Sequence, residues 1–157
     1  MATPPFDHLG ILVDDLDEAI PRWERLLGVT FMAARTVHVD RMVEADGSEG
    51  ELDLRIAFSV DGPPRYELLE VVGDGVYGPG NAGGLHHVAI LSDDVEGERE
   101  RLVGLGARVI GGQYRPDGSA IVSYLDRGVL DGLPVELLDA SVADAIGAWV
   151  RGEEATP

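Results

Sequence analysis

Residues 83–109 read GGLHHVAILSDDVEGERERLVGLGARV, and residues 6–31 read FDHLGILVDDLDEAIPRWERLLGVTF. Setting His8 on His87, an offset of 79, lays HLGILVDDLDEA over HVAILSDDVEGE. Imidazole, apolar, small, apolar, apolar and Asp-Asp recur at matching places. Downstream, YELLEVV from Tyr66 matches VELLDAS from Val135, which sets Glu67 on Glu136. Two copies of one pattern point to a duplicated module rather than a solenoid.

Each copy spells the same elements. DHLGILV and HHVAILS are short strands rich in β-branched residues. The Asp-Asp pair supplies a helix N-cap, and Asp15 with Glu18 has capping-box spacing. Leu16, Ala19, Ile20, Trp23 and Leu27 then form one apolar helical face. Gly28 and Gly106 are suited to end the helices. Pro21 removes a helical hydrogen bond and predicts a kink or a late start. Three strands are expected after each helix: about 29–38, 52–60 and 65–72, then about 107–113, 118–125 and 133–139. The Gly/Pro-rich stretch 73–84 joins the copies. SVADAIGAWVRG predicts a short terminal helix over about 141–151, capped by Ser141. The order β-α-β-β-β, twice, is α+β. It predicts a single domain of two tandem βαβββ modules, about 6–72 and 85–139, with helices covering one face of each sheet.

Strand alternation selects the residues of a site. His8 shares a face with Gly10 and Leu12, and His87 with Ala89 and Leu91. Glu67 shares a face with Leu69 and Val71, and Glu136 with Leu138 and Ala140. A carboxylate in an apolar stripe is costly unless it is paired or binds a cation. Two imidazoles and two carboxylates at matched positions therefore suggest one shared divalent ion: Zn, Ni, Co, Mn or Fe. His86 shares its face with Val88 and Ile90, the side we assign to the helices. His87 is thus the expected ligand, and His86 a neighbour that packs beside it or supports a ligand from behind.

Composition removes other chemistries. The 157 residues include no cysteine and no lysine, so thiolate ligands, disulfides and lysine Schiff bases are excluded. A net charge of −17 disfavours nucleic acid and anionic membranes. No apolar run has transmembrane length, and MATPPFDH lacks the basic and apolar segments of a secretory signal. A cytoplasmic protein is expected.

The pieces DHLGILVDDLDEA, YELLE, GLHHVAILSDD and VELLD resemble the vicinal oxygen chelate superfamily over roughly residues 6–139. This superfamily includes glyoxalases, methylmalonyl-CoA epimerases, extradiol dioxygenases and bleomycin-resistance proteins. The likeness is strongest to the epimerase and glyoxalase-like branch. The resemblance implies paired βαβββ modules curled around a metal held by His8, Glu67, His87 and Glu136. It implies a metal-dependent isomerase, epimerase or lyase acting on a small metabolite or acyl thioester, in a homodimer. Glu136 or Glu67 would then be the base, with Glu49 and Glu51 as further acid/base candidates. The stretch before the last strand, SYLDRGVLDGLPVEL, lacks the lysine or His-Pro of the family's epimerases. Phosphates of coenzyme A would fall to arginines such as Arg115 or Arg127. A drug- or metabolite-binding protein without chemistry is the alternative, and a non-haem iron dioxygenase a third reading.

Overall fold

The structure is a computed structural model that describes residues 6–153. Residues 1–5, part of the stretch read for a secretory signal, lie outside them. The first module contains β1 (His8–Val13), α1 (Leu16–Leu27), β2 (Arg35–Glu44), β3 (Glu49–Phe58) and β4 (Arg65–Glu70). The second contains β5 (Gly84–Ser92), α2 (Val95–Gly104), β6 (Val109–Tyr114), β7 (Ala120–Leu130) and β8 (Leu133–Asp139). Helix α3 (Ala140–Val150) follows directly.

The eight strands close into a barrel in the order β1-β4-β3-β2-β6-β7-β8-β5. The two halves of this order, 1-4-3-2 and 6-7-8-5, are mirror readings of one module. β1 pairs parallel with β4, and β5 pairs parallel with β8. The modules meet twice, both times antiparallel: β1 against β5 and β2 against β6. Among the described residues, closure leaves no free sheet edge for another chain to extend.

Alternation along the strands sorts the apolar residues into three packed layers. Leu12, Ile56, Phe58, Leu69, Tyr124 and Leu138 belong to the central cluster, inside the barrel. Val13, Ala57 and Leu68 pack with Leu16 and Ala19 of α1. Val88, Leu125, Val135 and Leu137 pack with Val95 and Leu102 of α2. β4 and β8 are buried on both faces, which is why ELL and VELL read as nearly unbroken apolar runs. The two ends of β2 meet different neighbours. Arg35, its first residue, lies over the Trp149 ring of α3 at 4.6 Å. Glu44, its last, accepts a hydrogen bond from the Val76 amide in the loop before β5. Ile146, Trp149 and Val150 join the central cluster, so α3 packs onto the barrel interior.

Several local expectations need correction. α1 begins at Leu16 and runs through Pro21 as one helix, so there is no late start. Asp15 caps it through the amides of Asp17 and Glu18, and Gly28 ends it in the left-handed conformation. β2 lies at Arg35–Glu44, later than 29–38, while Phe31 makes only an isolated bridge to Ser59. The apolar residues Val29 and Phe31 pack beneath α1 instead. β7 extends to Leu130, past the expected 118–125. The cap of α3 is Asp139, whose carboxylate accepts from the Ser141 amide, and not Ser141 itself.

Candidate metal centre

The parallel registers place the two halves of the site equivalently. Gly10 of β1 stands opposite Glu67 of β4, and Ala89 of β5 opposite Glu136 of β8. His8, Glu67, His87 and Glu136 are all buried, and one donor atom of each lies within 4.8 Å of every other. Nε2 of His8 is 3.1 Å from Nε2 of His87. Glu67 Oε2 lies 3.3 Å from the first and 3.2 Å from the second. Glu136 reaches the same two nitrogens at 3.4 Å, one with each oxygen.

This donor set fits a divalent cation on three observations. First, in a four-coordinate site with bonds of about 2.1 Å, donors stand about 3.4 Å apart, close to these spacings. Second, Glu67 Oε2 is buried and has no hydrogen-bond partner despite the two imidazoles beside it. An orphaned carboxylate oxygen in a barrel core is costly unless a cation meets it. Third, the space for the His87 ring exists because residue 10 is glycine. A Cβ there would overlap the imidazole atoms Nδ1, Cε1 and Nε2 of His87.

The outer nitrogens of both histidines are held. Asp7, itself buried, accepts from Nδ1 of His8 at 2.8 Å, which leaves Nε2 facing the centre. Nδ1 of His87 is 2.9 Å from Nδ1 of His86, whose Nε2 is 2.9 Å from the Val76 carbonyl oxygen. Burial alone would lower the His8 imidazole, but Glu67, Asp7 and Glu136 hold it well above its ordinary value. Burial would raise both glutamates; His8 and His87 hold both below the usual carboxylate range. Burial and the neighbouring His87 push His86 below its ordinary value. Beside His86, Gln113 donates to the Tyr77 hydroxyl, which is 2.6 Å from that of Tyr124. Burial, then Glu136, pushes both phenols up, so they stay protonated.

Residues 7–124 match the glyoxalase/bleomycin resistance protein/dioxygenase superfamily. The chain belongs to that superfamily. It is 29% identical over 110 residues to the ethylmalonyl-CoA/methylmalonyl-CoA epimerase of Cereibacter sphaeroides, covering 67% of this chain and 73% of that protein. Among solved structures it resembles a Streptomyces coelicolor methylmalonyl-CoA epimerase variant in complex with 2-nitronate-propionyl-CoA. That match has 21% identity and a TM-score of 0.59, and covers 88% of this chain and 98% of that one. The Mycobacterium tuberculosis methylmalonyl-CoA epimerase matches with 21% identity and a TM-score of 0.58, covering 88% and 91%. The barrel described above has the vicinal oxygen chelate fold of this glyoxalase superfamily.

The other residues singled out from the sequence fall elsewhere. Glu49 is exposed and paired with Arg41 at 2.7 Å, and Glu51 is exposed on β3; neither joins the cluster. Arg115 bonds Asp139 and Ser141 at the start of α3. Arg127 donates to the carbonyls of Gly132 and Leu85 and lines a cavity of about 880 Å³. That cavity is also lined by Glu44, Asp46, Asp74, Asp126 and His86, but by none of the four cluster residues. His86 needs a correction too. In the β1–β5 register Gly10 pairs with His87 and Ile11 with Leu85, so His86 is the extra residue of a bulge. Its ring faces Tyr77 and Tyr124 rather than α2.

Sequence reasoning passed over Asp7, Glu44, Tyr77 and Tyr124. Asp7 carries a readable signal, because the offset of 79 sets it on His86. Tyr77 offers only the signal of a lone bulky aromatic in the glycine-rich joint. The remaining two have no such mark.

Proposed function

We propose that this protein is a divalent-metal-dependent epimerase or isomerase that moves a proton on the carbon beside a bound carbonyl. The observation that carries this reading is the convergence of four buried donors whose two histidines have their outer nitrogens already engaged. The named relatives, an ethylmalonyl-CoA/methylmalonyl-CoA epimerase and methylmalonyl-CoA epimerases, support the reaction class.

His8, His87, Glu67 and Glu136 would hold the ion. When bound, it supplies Lewis-acid polarisation of a carbonyl and stabilises the enolate charge. The chain's own residues do the rest. Asp7 and His86 orient the two imidazoles. Glu67 is the freer carboxylate, with 9% of its side chain exposed against 4% for Glu136. We assign Glu67 to accept the proton from the carbon and return it, with Glu136 as the other possible base. Delivery of a proton by Glu136 to the opposite face would epimerise; return by Glu67 to the neighbouring carbon would isomerise. The barrel walls, with Phe58 edge-on to His8 at 5.3 Å, keep water from the carbanion.

A small metabolite suits the walls better than a coenzyme A thioester. Four carboxylates and one arginine line the cavity that reaches His86, and this balance repels polyphosphate. The reading also takes the protein to be a cytoplasmic homodimer. Among the described residues no helix is long and apolar enough to cross a membrane.

The test is metal analysis followed by solvent deuterium exchange into candidate 2-oxo compounds and methylmalonyl-CoA. Wild type should bind one equivalent of metal and exchange deuterium at one carbon. Glu67→Gln should lose exchange by at least 100-fold. Absence of bound metal after reconstitution would sink the reading. A second reading, a metabolite-binding module without chemistry, rests on the cavity that excludes the cluster. It wins if a ligand binds tightly and no proton exchanges.

A further inference from the structure

We propose that His86 is a positioning residue: it fixes His87 in the tautomer whose Nε2 lone pair faces the other three donors. This inference rests on the metal-centre reading and deepens it. The hydrogen-bond order follows from one fixed acceptor. The Val76 carbonyl can only accept, so Nε2 of a neutral His86 carries the proton that it receives. Nδ1 of His86 is then a bare acceptor, 2.9 Å from Nδ1 of His87. A neutral His87 meets it by donating from Nδ1, and its own Nε2 is left unprotonated. That nitrogen is the one 3.1 Å from His8 and 3.2 Å from Glu67.

His86 is held for this task from several sides. The β-bulge turns it off the regular alternation of β5. Tyr77 stacks on its ring at 5.7 Å and 21°, and Tyr124 meets it edge-on at 5.6 Å. Val76 and Tyr77 both come from the 73–84 connection, so the loop between modules sets the proton order of the second-module ligand. Asp7 does the same for His8 with a carboxylate. The residue before each proposed ligand therefore orients it, by different chemistry in the two modules.

The experiment compares wild type, His86→Phe and His86→Gln as full chains. Phe keeps the ring stack and lacks an acceptor; Gln restores a carbonyl acceptor. Two readouts are used: Zn²⁺ affinity by competition with a chromophoric chelator, and the His87 tautomer from imidazole ¹⁵N shifts in metal-free protein. The expected result is Nδ1–H on His87 in wild type. His86→Phe should bind Zn²⁺ about 10–100-fold more weakly, and His86→Gln within about threefold of wild type. Nε2–H on His87 in the metal-free wild type would overturn the proposal. So would wild-type Zn²⁺ affinity in a folded His86→Phe. If wild type takes up no Zn²⁺, the metal-centre reading fails, and the tautomer measurement still decides the role of His86.

Discussion

The two halves of the centre share a backbone and differ in what surrounds it. In the first module the run is Asp7, His8 and Gly10, with Glu67 across the parallel register; in the second it is His86, His87 and Ala89, with Glu136. Duplication fixed the four proposed ligands, because their positions follow from strand order and register alone. The outer partners diverged. His8 leans on a carboxylate, His87 on a neutral ring. His8 is therefore oriented by a charge, and His87, fully buried, by a neutral neighbour. One fold thus carries two different ways of orienting a histidine.

The largest test of that comparison lies two residues beyond the histidines. Gly10→Ala puts a methyl into the His87 ring, with β1 and β5 locked in register behind it. The ring must leave the centre. Zn²⁺ affinity should fall by more than 100-fold, with about 1–3 kcal/mol of overpacking cost in denaturant unfolding. Ala89→Gly, the matched change in the other module, removes a methyl from a buried strand and should cost about 1 kcal/mol, with metal affinity nearly kept. Equal losses in both variants would show that the halves are more alike than their packing suggests.

The repeat made the centre legible. The offset between His8 and His87, and the pairing of Glu67 with Glu136, needed only alternation and self-alignment, and β8 came out where VELL placed it. His86 was misplaced because alternation assumes a regular ladder, and a bulge leaves no mark in HHVAIL. β2 slipped because VTFMAA looks more like a strand than RTVHVDRMVE. Val29 and Phe31 pack under a helix, whereas the polar strand buries only Val39 and Met42. Closure of the barrel through β2 and β6 joins residues such as Arg41 and Tyr114, and no local pattern announces it. Tyr77 became part of the centre's shell through a turn in a glycine-rich segment, which composition describes only as a joint.

The next contrast is one of proton against metal. The His8 imidazole is raised in the folded, metal-free chain, so its protonated form favours folding. That stability is fully present below the unfolded histidine value of about 6.5 and fades as pH rises through the raised folded value. Glu67 and Glu136 are lowered, and their contribution fades as pH falls through their folded values, on the acid side. Metal-free protein should thus be most stable near pH 5–6, between the unfolded glutamate value of about 4.3 and the unfolded histidine value of about 6.5. The measurement is the urea midpoint from pH 4 to 9, with chelator and with Zn²⁺. Zn²⁺ takes the place of the proton, so the alkaline decline should shrink when it is bound. Asp7→Asn should remove part of the same decline in the metal-free chain. A flat profile without metal would mean that His8 holds no special proton and that the Asp7 carboxylate does no more than orient its ring.

The smallest expected difference lies at the helix starts. Asp15 accepts from two amides of α1, at 2.8 and 3.2 Å, while Asp94 accepts from one amide of α2, at 2.9 Å. α1 has a further acceptor, because Glu70 takes the Leu16 amide at 2.9 Å and is itself bound to Arg55. The repeat sets Glu70 on Asp139, and Asp139 serves α3 instead, through Ser141 and Arg115. One duplicated acidic position thus holds the helix before it in the first module and the helix after it in the second. Asp15→Ala and Asp94→Ala should each cost about 1 kcal/mol in urea unfolding. Amide exchange should separate them. The Leu16 amide should stay protected in Asp15→Ala because Glu70 still holds it, whereas the first turn of α2 should exchange faster in Asp94→Ala. Fast exchange at Leu16 in Asp15→Ala would mean that Glu70 cannot hold α1 alone. The helix ends would then depend on the Asp-Asp motif in both modules alike.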